Sequence, residues 1–247
     1  MTLFLTSSHT LGWAGDLNPA NGLKESLRAA LPAEIRCLMI TSYPDDIKIT
    51  DRMAWEIREC FERAEMEFDH FEVLDRRTQR YANRMIKGAN FIILCGGHVP
   101  TENKFFQELR LREKLAGWEG TMLTISAGSM NCADIVYAMP ELPGEAVSAK
   151  YKVYLKGLGL TGVNILPHFQ PRVCMKIDKL RLMEDIVAYH SFRHPVYCLP
   201  DGSYFYITPS RTELRGKAYC MKDGKLRLIC RDNERKLLSE TGRLIKL

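Results

Sequence analysis

Apolar positions along this chain recur in two alternating rhythms. Short apolar runs at residues 3–5, 35–40, 68–74, 91–94 and 121–125 have the length and the branched or aromatic content of buried strands. The segments between them repeat apolar residues at helical spacing. Residues 23–31 form one such amphipathic stretch. Residues 51–67 form another, with Met53, Ile57, Cys60, Phe61 and Ala64 on one face. A more polar helix fits residues 77–87. A further helix fits 101–115, with Thr101 as its N-cap. Strand and helix in alternation, with short connections, predict a mostly parallel α/β sheet sandwiched by helices. In such sheets chemistry gathers where strands end and helices begin. Two strand ends stand out, the Gly96-Gly97 turn and the turn after Ile125.

The last part of the chain reads differently. Residues 196–199, 203–208, 217–221 and 225–230 look like strands, and Asp201-Gly202 and Asp223-Gly224 read as tight hairpin turns. Antiparallel C-terminal strands extending the same sheet are expected, after a helix over 177–188. The chain has 247 residues and no internal repeat or low-complexity stretch, so one domain spanning 1–247 is expected.

Composition removes several function classes. Hydrophobic residues make up 46% of the chain, ordinary for a globular protein with a sizeable core. The formal charge of +5 comes from 35 Lys and Arg against 30 Asp and Glu, spread along the chain. No concentrated basic face or motif points to nucleic acid. The cluster of Lys176, Lys179 and Arg181 favours small anionic substrates at most, and a solvated helix face accounts for it as well. Eight cysteines occur without a CxxC pair, which excludes zinc-ribbon and thioredoxin readings. Free thiols in a reducing compartment explain them. Residues 1–5 are apolar without a basic flank and read as a first strand, not a signal peptide. No apolar stretch is long enough to span a bilayer, so a cytoplasmic protein with no membrane partner is expected. His190 and His194 have helical spacing, but Ser191 stands where a zincin needs Glu and Pro195 breaks the helix. No metal or cofactor is expected.

Residues 121–129, Thr-Met-Leu-Thr-Ile-Ser-Ala-Gly-Ser, carry the most chemistry. A buried strand runs into Ser126 and then into the small residues Ala127 and Gly128, before a segment (130–138) with helical potential. A nucleophile elbow needs this arrangement, because its serine sits in a strained turn that tolerates only small neighbours. Thr124 replaces the first glycine of G-x-S-x-G. On spacing alone, an ordinary strand-to-helix turn with Ser126 as N-cap is an equal alternative.

Further residues extend the pattern. The elbow 125–129 resembles the S-A-G-A elbow of the peptidase E family of aspartyl dipeptidases. Ile92-Ile93-Leu94-Cys95-Gly96-Gly97, followed by Phe105-Phe106-Gln107-Glu108-Leu109, is similar to the family's G-G-N-T-F-Q-L-L segment, with the extra residues 98–104 between them. The stretch from Leu158-Gly159-Leu160 to Pro167-His168-Phe169 resembles its N-P-H-F segment, and Leu199-Pro200-Asp201-Gly202 its P-E-G turn. These segments occur in family order over residues 1–208.

The resemblance implies a class I glutamine amidotransferase-like, or flavodoxin-like, fold. It implies serine-type hydrolysis of dipeptides with an N-terminal Asp, without metal or cofactor. Ser126 would be the nucleophile, His168 the base and Asp201 the group orienting the base. Gly97 and Ala127 would be the oxyanion donors. Asp201 stands where the family has Glu, and Asp134 near the elbow is a rival orienter. The segment 170–175 departs from the family, so Arg172 and Arg181 are both candidates for holding a substrate carboxylate. His98 is a candidate pocket residue. The expected partner is a small peptide substrate, with a homodimer as an open option. A cyanophycinase-like or isoaspartyl amide hydrolase and a non-catalytic scaffold are the competing readings.

Overall fold

The structure, a computed structural model, describes residues 1–12, 15–239 and 244–246. Five strands, β1 (Thr2–Thr6), β2 (Arg36–Ile40), β3 (His70–Leu74), β4 (Phe91–Leu94) and β5 (Thr121–Ile125), lie parallel in the order β3-β2-β4-β5-β1. Their residues alternate between two cores. Leu3, Leu5, Leu38, Ile40, Ile92, Leu94 and Met122 face one core, and Phe4, Cys37, Met39, Phe91, Ile93 and Leu123 face the other. A strand buried on both faces must be apolar throughout, which is why these segments are continuous runs.

Helices α1 (Leu23–Ala30) and α2 (Ile47–Arg63) cover one face through Leu23, Leu27, Ile57, Cys60 and Phe61. Helices α3 (Ala82–Gly88), α4 (Val99–Glu108), α5 (Leu111–Lys114) and α6 (Ala127–Asn131) cover the other, with Met85, Phe105, Phe106, Leu111 and Met130 in the core. The expected sandwich is therefore present. The helix predicted over 101–115 begins earlier, capped by His98, with Pro100 in its first turn where a missing N–H is harmless. It breaks at Arg110, whose φ is 53°. Thr101 lies inside α4 and not at its cap.

Beyond α6 the chain departs further from the prediction. Residues 130–138 do not stay helical. Instead β6 (Ile135–Tyr137) pairs with β7 (Tyr154–Lys156), as its branched and aromatic residues favour. Then come β8 (Ile165–Leu166), the short helix α7 (Phe169–Arg172), and a small hairpin of β9 (Lys176–Ile177) and β10 (Leu180–Arg181). That hairpin replaces the predicted start of a helix. Asp178 and Lys179 both have positive φ, and the Asp178 carboxylate accepts from the N–H groups of Gly144 and Ala146 at 2.7 and 2.9 Å. A π-helical segment, Leu182–Val187, follows.

The C-terminal strands divide between two sheets. Strands β11 (Val196–Cys198), β14 (Ala218–Lys222) and β15 (Lys225–Cys230) join β8 in a four-stranded sheet. Strands β12 (Tyr204–Thr208), β13 (Arg211–Arg215), β16 (Arg235–Leu238) and β17 (Leu244–Lys246) extend the main sheet antiparallel beyond β1. Asp223-Gly224 turns a true hairpin between β14 and β15. Asp201-Gly202 does not, because it carries the chain from β11 in one sheet to β12 in the other. Among the described residues, no helix is long and apolar enough to cross a membrane.

Candidate active site

Parallel neighbours end on the same side of a sheet. Pairing of Thr6 with Ile125 and of Leu94 with Thr124 therefore delivers three loops together: Ser7 after β1, Gly96-Gly97 after β4 and Ser126 after β5. Ser126 has φ 50° and ψ −110°, a region that a residue with a side chain enters only when its surroundings enforce it. The Ser126 N–H donates to the Thr6 carbonyl at 3.1 Å, and the Gly128 N–H donates to the Cys95 carbonyl at 3.1 Å. Space does the rest. A Cβ on Gly128 would lie 2.6 Å from the carbonyl oxygens of both Leu94 and Cys95, and one on Gly96 would lie 3.1 Å from the Ser126 Cβ. Thr124, where the motif has glycine, is buried. Its hydroxyl donates to the Phe4 carbonyl at 2.9 Å and lies 2.7 Å from Ser129 Oγ.

The second sheet supplies the partners. β8 and β11 are parallel, with Leu166 beside Cys198, so the loops holding His168 and Asp201 leave at the same end. The Phe169 N–H donates to the Leu199 carbonyl at 3.1 Å and ties the two loops. His168 takes the left-handed conformation, φ 54° and ψ 45°. Its Nε2 lies 3.0 Å from Ser126 Oγ, and its Nδ1 lies 2.8 Å from Asp201 Oδ1. Ser126, His168 and Asp201 are thus within hydrogen-bonding reach in series. Asp134 stands elsewhere, exposed and paired with Arg112 at 2.7 Å.

Ser7 joins the series from the main sheet. Its hydroxyl donates to Asp201 Oδ1 at 2.7 Å and accepts the His168 N–H at 2.7 Å. Partial burial pushes the Asp201 carboxyl up. The hydrogen bonds from His168 and Ser7, with the charge of Arg172, outweigh that and hold it below the usual carboxylate range. Asp201 is therefore an anion at neutral pH, able to fix the imidazole tautomer with Nδ1 protonated and Nε2 facing the serine.

Ser126, His168 and Asp201 line a cleft of about 810 Å³, within the range of small-molecule sites. Its other walls come from the loop after β1, from Tyr43, and from the face of α2 carrying Met53 and Glu56. Gly97 is on the wall, where a Cβ would meet Ser42 Oγ at 2.6 Å. Ala127 opens α6, so its N–H has no carbonyl one turn back to receive it.

Arg172 also lines the cleft, mostly buried, with Nη2 donating to Glu141 Oε1 at 2.7 Å. Its Nε is out of water and, among the described residues, has no acceptor. Arg181 is not in the cleft; it is exposed and held by Asp185 through three hydrogen bonds. His98 is not among the lining residues either. Its ring bridges Thr101 at 2.8 Å and Glu145 at 2.9 Å, pinning the 141–145 loop to α4.

Sequence reasoning did not name Ser7 or His9. Ser7 was detectable in principle, because the end of a strand next to the elbow strand must reach the same edge. His9 sits on the cleft wall with its Nδ1 out of water and, among the described residues, without a partner, and burial lowers its pKa to about 4.

The fold and this arrangement define an α/β protein of the flavodoxin-like type with a serine at a strand-end elbow. No protein-family model matches the sequence, and no curated protein matches it. Among solved structures, the chain is similar to the crystal structure of a candidate peptidase E protein from Listeria monocytogenes EGD-e. That similarity has a TM-score of 0.55 and 13% identity, covering 92% of this chain and 98% of the other. It shows a shared peptidase E-like fold.

Proposed function

We propose that this chain is a serine-type peptidase that hydrolyses short peptides, chiefly dipeptides with an N-terminal Asp, through Ser126, His168 and Asp201. The observation that carries this reading is the unbroken contact series. It runs from Asp201 Oδ1 to His168 Nδ1 at 2.8 Å, and from His168 Nε2 to Ser126 Oγ at 3.0 Å, on a serine held at positive φ.

In this reading Ser126 Oγ attacks the scissile carbonyl carbon while its proton passes to His168 Nε2. The carbonyl π electrons move to oxygen, and the N–H groups of Gly97 and Ala127 receive that oxyanion. Asp201 stabilises the imidazolium without taking its proton. The intermediate collapses, the C–N bond breaks, and the leaving amine takes the proton from Nε2. Water then attacks the acyl-enzyme with His168 as base, releasing the acid and restoring Ser126. Two arginines line the cleft, Arg52 and Arg172, and Arg172 is the one assigned here to a substrate carboxylate.

A second reading is an isoaspartyl or cyanophycin-like amide, whose acyl group is the other carboxyl of the aspartyl residue; Glu141, already on one face of Arg172, narrows the room for the free carboxylate of either substrate. Hydrolysis of α-aspartyl, β-aspartyl and neutral dipeptides, by wild type and Ser126→Ala, separates these. The first reading expects turnover of α-aspartyl substrates that falls by about 10⁴-fold or more in the variant. Preference for β-aspartyl links selects the second. No turnover of any member by wild type counts against both and favours a binding scaffold.

A further inference from the structure

Directly behind the strand-end turns lies a carboxyl group that the hydrolytic scheme does not use. Glu102, in the first turn of α4, is fully buried. Its Oε2 accepts from Asn131 Nδ2 at 2.9 Å, while its Oε1 has no partner among the described residues. The same Asn131 amide group reaches the carbonyls of Ala127 at 3.2 Å and Val99 at 3.3 Å. Asn131 Oδ1 accepts from Asn103 Nδ2 at 2.9 Å, and Asn103 also donates to the Lys156 carbonyl at 2.9 Å. One buried amide therefore clips the start of α4, which follows the Gly97 turn, to the start of α6, which carries Ala127.

We propose that Glu102 is a positioning residue for the oxyanion site. It acts as a neutral carboxylic acid whose contact with Asn131 keeps the Gly97 and Ala127 N–H groups aimed at one point. The inference rests on the hydrolytic reading above for its consequence in catalysis, but not for its structural content. An ionised carboxylate at this place would be untenable. The side chain is out of water, and among the described residues its one donor is the uncharged Asn131 amide and it has no cationic partner. The titratable groups around it are Cys95 at the end of β4, Cys132 after α6 and Tyr43 on the cleft wall, and each is pushed upward and neutral at neutral pH. Burial likewise pushes the Glu102 carboxyl well up. Keeping the acid neutral leaves Asn131 free to bind both helix starts, as a carboxylate competing for its hydrogens would not.

Three readouts test this. The first is the rate at which an aryl fluorophosphonate labels Ser126, since phosphonylation develops charge on an oxygen in the same site. Glu102→Ala slows labelling by about tenfold or more, and Glu102→Gln restores most of that rate. The second is stability against pH. A group whose folded pKa is raised costs stability as pH climbs above its unfolded value, about 4.3 for Glu, because only the unfolded chain can release the proton. The Tm advantage of Glu102→Gln over wild type therefore widens by about 5 °C or more between pH 5 and pH 8. The third is amide exchange of the peptides covering Gly96-Gly97 and Ser126-Ala127, which quickens in Glu102→Ala and not in Glu102→Gln.

Folded Glu102→Ala with wild-type labelling and exchange overturns the positioning role. A Tm gap that does not change with pH overturns the neutral acid. If wild type itself resists the reagent, the hydrolytic reading fails on its own, and exchange and Tm still decide the role of Glu102.

Discussion

Ser7, His9, Arg172 and Glu141 show how far the site extends beyond three residues. Ser7 is the joint between the sheets, bonded to the backbone of His168 and to the carboxylate of Asp201. Ser126, His168 and Asp201 were legible because their segments, each weak alone, resemble in order those of one family: an elbow, an N-P-H-F-like segment and a P-x-G-like turn. Ser7 and His9 have no such motif, and their role comes from the strand pairing that brings distant loops together. His9 gives a prediction at this scale. Its pKa is lowered to about 4 by burial, below its value of about 6.5 in an unfolded chain. A lowered histidine contributes stability that is present above pH 6.5 and lost as pH falls toward the folded pKa. His9 thus removes about 2 kcal/mol of stability between pH 7 and pH 5. His9→Asn, followed by denaturant unfolding at the two pH values, should flatten that loss. An unchanged pH dependence would show that His9 is not held neutral.

The parallel strands and amphipathic helices were plain in the sequence, since strands buried on both faces leave an uninterrupted apolar run and α2 keeps one apolar face. Boundaries were less plain. The helix read from Thr101 starts two residues earlier, because Pro100 fits its first turn, where no backbone donor is lost. The segment 176–181 carries helical composition but folds as a hairpin, because the Asp178 carboxylate secures its turn to the 144–146 backbone. Asp201-Gly202 has hairpin chemistry and instead crosses between sheets, which only the strand order reveals. The elbow makes a prediction at this scale. Gly128→Ala places a methyl group 2.6 Å from two carbonyl oxygens of β4 and its exit, both backbone atoms that cannot swing aside. It should destabilise the fold by about 1–3 kcal/mol, measured by chemical unfolding. Wild-type stability would mean that the turn has room the close contacts deny.

Across the whole molecule, the site is a seam. The main sheet presents Ser126 and the second sheet presents His168 and Asp201, so the hydrogen-bond series exists only when the two sheets are docked. This division was beyond the reach of sequence patterns, which read the C-terminal strands as one extension of the main sheet. Part of them is that extension, anchored by the buried Arg215, which pairs with Glu213 at 2.6 Å and reaches Ser26 on α1 at 2.7 Å. The rest builds the platform that carries His168 and Asp201.

The proposed hydrolysis requires Ser126 to be an activated nucleophile. Its most direct test is incubation with an aryl fluorophosphonate, followed by digestion and mass mapping of the adduct, on wild type, Ser126→Ala and His168→Ala. We predict one adduct, on Ser126, absent from the serine variant and formed at least about 100-fold more slowly in the histidine variant. A wild-type protein that stays unmodified at Ser126, or reacts equally fast without His168, would contradict the account.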